Sequence, residues 1–173
     1  MDVQLVTERL SGYYINRRKT LHWLLGFSMF SLGGGSAAYL AANTMLSHTL
    51  GQVLFCFGLV SLGRTLMDHR YTHRAWAQAK KLLSSTNRMQ FLNAEEDRLE
   101  NELPRLKLEQ TILTLVLIAG IILSVMGSVW EKGPGWLGTG IGLLLEGGVL
   151  LAFAVVREWA ASLFLHFLYR QRV

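Results

Sequence analysis

The sequence predicts an all-α integral membrane four-helix bundle, built from two transmembrane hairpins with a short cytoplasmic helical hairpin between spans 2 and 3. Three observations lead there. Of 173 residues, 51% are apolar and only 17% charged, against about 25% charge in an ordinary soluble domain. No Asp, Glu, Lys or Arg occurs from Thr20 to Gly63 or from Gln110 to Trp130, and Glu146 alone interrupts a similar run from Gly133 to Val156. None of these runs alternates in polarity as a lipid-crossing strand does, and a helix is the other backbone that satisfies its own hydrogen bonds in hydrocarbon. The same composition excludes a disordered chain and a collagen. The lone Cys56 can form no internal disulfide.

In chain order, residues 1-19 come first. Val3, Val6, Leu10 and Tyr13 or Tyr14 recur at helical spacing ahead of Arg17-Arg18-Lys19, which reads as an amphipathic helix lying on the membrane surface, with a frayed terminus as the alternative. Residues 20-63 hold two spans of about 20 residues each, joined by the uncharged turn from Asn43 to His48. A cleavable signal peptide ending at Ser36-Ala37-Ala38 fits poorly, because Asp2 and Glu8 precede it and the apolar run continues beyond it.

Residues 64-109 form the cytoplasmic hairpin. Five cations and no acid lie between residues 70 and 88, and five acids with one Arg lie between 95 and 102. Ser84-Ser85-Thr86-Asn87 breaks the helix, and Asn87 with Gln90 resembles a capping box. The antiparallel return sets Arg70 and Arg74 opposite the block from Glu95 to Glu102. Leu92, Leu99, Leu106 and Leu113 repeat every seven residues, a short packing face that Glu96, Gln110 and Pro104 limit, and Pro104 ends or kinks the helix. Residues 110-156 form the second transmembrane hairpin. Residues 157-173 extend the fourth helix into the cytoplasm, either straight on or bent along the membrane surface.

Orientation follows from the cations, which resist translocation. Sixteen of the 17 Lys and Arg flank the spans on one side, with Lys132 the exception. Both termini are therefore expected in the cytoplasm, and the default compartment is a bacterial plasma (inner) membrane. The net charge of +5 is then a topology signal, and nucleic acid is not an expected partner. Trp23, Trp130 and Trp136 sit at the predicted interfaces.

Candidate functional residues are few. Glu146 falls near the middle of its span, where an ionisable group marks either an ion or proton pathway or a hydrogen bond across a helix interface. Ser31, Ser36, Cys56 and Ser124 are its candidate neighbours. Gly138 and Gly142 stand two turns and one turn before it, and with Gly33, Gly34, Gly35, Gly120 and Ser124 they form the small-residue surfaces on which membrane helices pack. Arg64, Asp68, Arg157 and Glu158 are expected to meet in an inner-face ion-pair cluster. His22, His69, His73 and His166 fall near the same face, and bis-His haem ligation is chemically possible; no metal or other cofactor motif accompanies them, so none is assigned. The segment from Gly133 to Gly138 matches GxGxxG without the strand that a dinucleotide site requires. The expected function is non-enzymatic: association through helix contacts in the lipid bilayer, as a homo-oligomer or with other membrane subunits. An ion-conducting pore or proton-coupled transporter using Glu146 and a haem-bearing electron carrier are the alternatives.

Overall fold

The computed structural model describes residues 3–84, 88–130 and 133–172. Helix makes up 96% of them, in four elements and with no strand among the described residues. These are α1 (Val3–Leu40), α2 (Met45–Ser84), α3 (Arg88–Val129) and α4 (Pro134–Arg172). Three of them, α2, α3 and α4, are long and apolar enough to cross a membrane, the mark of an integral membrane protein. In α1 the uncharged half is diluted by Ser28, Ser31, Ser36 and three consecutive glycines, and it falls short of that standard. With 38 to 42 residues each helix is about 57 to 63 Å long, roughly twice the thickness of a hydrocarbon layer. Each therefore has an apolar half and a charged half, and reversal of direction at every connection brings like halves to the same end.

The connections are short. The Thr44 hydroxyl accepts the Ser47 N–H at 3.2 Å and caps α2, so that helix starts inside the stretch expected as a turn. Gly133 accepts the Leu137 N–H at 2.9 Å, and Pro134 occupies the first helical position, where its missing N–H is not needed. The Asn87 end of the proposed capping box lies outside the described residues.

Three expectations are corrected by this architecture. The helix expected over residues 1-19 is not separate where the structure describes it: from Val3 onward α1 is unbroken, and Val6, Leu10, Tyr13 and Tyr14 enter the main hydrophobic core. Pro104 does not end α3, which runs through it; buried Leu99 and Leu106 on either side hold the helix against its neighbours despite the lost backbone bond. The leucine repeat is not a short face, since Leu92, Leu99, Leu106 and Leu113 continue in register as buried Gly120 and Gly127. Beyond Arg157, α4 continues as helix to Arg172, in line with the straight reading.

The same seven-residue spacing runs through all four helices. On α2 it buries Gly51, Gly58, Thr65, Thr72 and Ala79; on α4, Gly133, Gly140, Gly147, Ala154, Ala161 and Leu168; on α1, Tyr14, Leu21, Ser28 and Gly35. A heptad keeps one seam turned toward the partners along the full length of supercoiled helices. Residue size along these seams differs between the ends: Gly occupies the apolar end of each, and the charged end carries Tyr on α1, Ala on α2 and Leu on α3 and α4. Helices α1 and α2 form one intimate pair, α3 and α4 the other, and α2 against α4 joins the pairs; α2 and α3, although consecutive, touch least of the pairs whose backbones approach one another.

Candidate functional site

The hydrophobic core lies in the charged half, where Tyr14, Phe91, Leu92, Leu99 and Leu168 are fully buried. Between this core and the apolar half runs a layer of ion pairs. Its acids come from α3, where Glu95, Glu102 and Glu109 stand seven residues apart, each three positions beyond a heptad leucine. That spacing places one carboxylate per two turns beside the leucine seam.

Each acid meets arginine. Both Arg17 terminal nitrogens grip Glu102, at 2.6 and 2.9 Å, while its Nε donates to the Thr72 hydroxyl at 2.9 Å. Arg98 bridges Glu95 at 2.8 Å and Glu102 at 2.9 Å. Arg157 bridges Asp68 at 2.8 Å and Glu109 at 2.6 Å, and Arg64 reaches the same Glu109 oxygen at 2.6 Å. Burial pushes the Glu102 carboxyl up, but the hydrogen bond and charge of Arg17, with Arg98 and Arg157, more than offset it and hold the group below its ordinary range. Burial pushes the Tyr14 phenol well up, which keeps it protonated as a donor to Glu95 at 3.3 Å.

Of the predicted inner-face cluster, Arg64, Asp68 and Arg157 come together, and Glu158 takes no recorded part. Glu109 occupies the role expected of it. Arg70 and Arg74 do not oppose the acidic block: both are exposed, because α2 barely touches α3, and α1 supplies Arg17 across the interior instead. Sequence reasoning singled out the block from Glu95 to Glu102 but gave it Arg70 and Arg74 as partners, and it passed over Glu109 and the parts played by Arg17 and Arg98. The heptad spacing of the three acids was the available signal.

A cavity of about 610 Å³ opens beside this layer and is lined by Arg64, Asp68, Arg105, Glu109 and Arg157 among others. A second, of about 300 Å³, lies on the α1–α4 side and shares Arg17, Glu102 and Arg157 with it.

In the apolar half Glu146 is completely buried, and neither carboxylate oxygen has a hydrogen-bond partner. Ser31, also buried, is the polar side chain that approaches it. Ser36 is bonded to the Leu32 carbonyl and Cys56 is exposed. Glycines surround the position. A Cβ on Gly142 would stand 2.8 Å from Val53, and one on Gly138 would strike the Leu46 carbonyl. Gly120 and Ser124 face Gly140, whose Cβ would lie 2.5 Å from the Ser124 nitrogen. Gly35 packs on α2, with its Cβ position 2.5 Å from the Phe55 nitrogen, whereas a Cβ at Gly33 or Gly34 would meet no other helix within 4 Å.

The histidines do not assemble a site. The His22 and His69 rings meet edge to face at 5.7 Å, which leaves no room for a macrocycle between them, and His73 and His166 are exposed. Among the described residues no group of three or more His, Cys, Asp and Glu side chains is placed to hold a metal ion. No family model, no curated protein and no solved structure matches the chain.

Proposed function

We propose that this chain is an integral membrane four-helix bundle that crosses the bilayer four times, with both termini in the cytoplasm of a bacterial cell, and that it works without catalysis, by associating with a second copy or with other subunits of a membrane complex. The outward face of α1 carries the reading. A Cβ added at Gly26, Gly33 or Gly34 would meet no atom of another helix within 4 Å, Gly26 and Gly33 are exposed, and this is the one helix of the four that is not apolar enough to span alone. A glycine costs about 1 kcal/mol relative to alanine in a helix interior and offers lipid no side chain, whereas it lets another helix approach closely. The test is the mass of the complex extracted from native membranes in mild detergent. Replacing Gly33 and Gly34 with Leu is expected to dissociate it; a wild-type chain that emerges as a lone monomer overturns the reading.

A second reading rests on Glu146. A carboxyl that is wholly buried, with Ser31 as the polar side chain near it, and that lies near mid-bilayer if the chain crosses as proposed, is the group a proton or cation pathway needs. Proton flux into liposomes, abolished by Glu146→Gln with assembly intact, is its expected outcome; flux that survives the substitution counts against it.

A further inference from the structure

We propose that the cleft between α2 and α3, at the level of the ion-pair layer, binds the phosphodiester headgroup of an anionic phospholipid. The cleft is the cavity of about 610 Å³ described above, and it exists because α2 and α3 pack least of all neighbouring pairs.

Its charge favours an anion. Five arginines line it against three acids, Asp68, Glu102 and Glu109; counting Glu95, which holds Arg98 from outside the cleft, leaves one positive charge over. A phosphodiester carries one negative charge. Donors stand ready for it. Arg157 contributes charge from depth: its side chain is 91% buried, at 9% exposure, and its terminal nitrogens are held by Asp68 and Glu109. Arg105 lines the cleft, is exposed and makes none of the recorded ion pairs. Arg64 is 49% exposed and uses one nitrogen on Glu109. Guanidinium forks suit phosphate oxygens better than a point charge does.

Its position favours a lipid over a soluble anion. On the apolar side of the cleft, Val60 lies one turn from Arg64 on the same face of α2, and Ile112 lies two turns from Arg105 on the same face of α3; they are 70% and 53% exposed. An acyl chain runs over these surfaces while the headgroup sits among the arginines.

The inference rests on the bilayer placement proposed above and not on association. The full-length protein, purified in detergent, is offered phosphatidylglycerol, phosphatidylcholine or inorganic phosphate, and retained ligand is read by native mass spectrometry. Phosphatidylglycerol is expected to be retained, and Arg64→Gln with Arg105→Gln to weaken that retention about tenfold, the loss of one charged hydrogen bond. Arg70→Gln with Arg74→Gln removes the same charge away from the cleft and should leave retention unchanged. Thermal unfolding without lipid checks that the variants fold, and Arg105→Gln alone serves if the pair does not. Equal retention of phosphatidylcholine, equal loss in both double variants, or displacement of the lipid by millimolar inorganic phosphate overturns the headgroup site. A chain that takes up neither lipid overturns the bilayer placement itself.

Discussion

At the charged end, α1 and α2 are spaced by side chains, with the Tyr14 and Trp76 rings 4.8 Å apart and Leu10 and Ala79 buried beside them. About 30 Å further along the same pair the spacing has gone: a Cβ on Gly51 would lie 2.5 Å from the Tyr39 nitrogen and 2.8 Å from the Gly35 carbonyl. Helices α3 and α4 repeat the contrast, with leucines toward one end and Gly120, Gly127 and Gly140 toward the other. Two solvents explain it. In water, burying large apolar side chains stabilises the packed state, so the charged half keeps its bulk inside. In lipid that drive vanishes and close backbone contact replaces it, so the apolar half turns its bulk outward, as the exposed Phe30, Ile118, Ile121 and Val129 illustrate. The ion-pair layer runs from Glu95, beside the core, to Arg64, Glu109 and Arg157, next to the start of the charge-free runs.

The largest effect that tests this contrast falls on the dividing layer. Glu102→Ala strands Arg17, leaves Arg98 with Glu95 alone, and is expected to cost about 3 to 5 kcal/mol, the range for breaking a buried ion pair. Because Glu102 titrates below its ordinary value of 4.5, its contribution is complete above that pH and is lost as pH falls through the folded-state value. Acid unfolding in detergent should therefore be flatter in Glu102→Gln than in wild type; identical profiles break the assignment. Next comes Leu99→Ala, at about 2 to 5 kcal/mol for a fully buried leucine, against Ile121→Ala in the apolar half, within about 0.5 kcal/mol as for an exposed position. Comparable losses at the two sites in chemical denaturation mean that both halves are packed alike. The smallest test is one of sign. Gly51→Ala drives a methyl group into backbone and should lose about 1 to 3 kcal/mol, while Gly33→Ala meets open space and should gain up to about 1 kcal/mol in the isolated chain. Two changes of the same sign in thermal unfolding remove the distinction between inward and outward glycines.

Much of the fold can be read along the chain because its signals are local. The charge-free runs mark the apolar halves, and the Leu92 to Leu113 repeat marks the seam of α3. The continuation of that repeat as Gly120 and Gly127 is as local, but a heptad of glycines carries no hydrophobic contrast and escapes a reading based on apolar periodicity. The ion-pair layer is less accessible. Spacing puts Glu102 and Glu109 on one stripe, yet the choice of Arg17 over Arg70 and Arg74 depends on α1 reaching across the interior and on α2 standing away from α3.

The chain alone thus establishes that the protein is helical, where its apolar stretches lie and where the leucine part of the α3 seam runs, because hydropathy and heptad spacing are properties of neighbours in sequence. Which arginine meets which carboxylate, which glycines press on backbone and which face outward, and where the cleft opens are set by how the helices are arranged around one another. Those outcomes depend on distances between residues as far apart as Arg17 and Glu102, which hydropathy and local spacing do not encode.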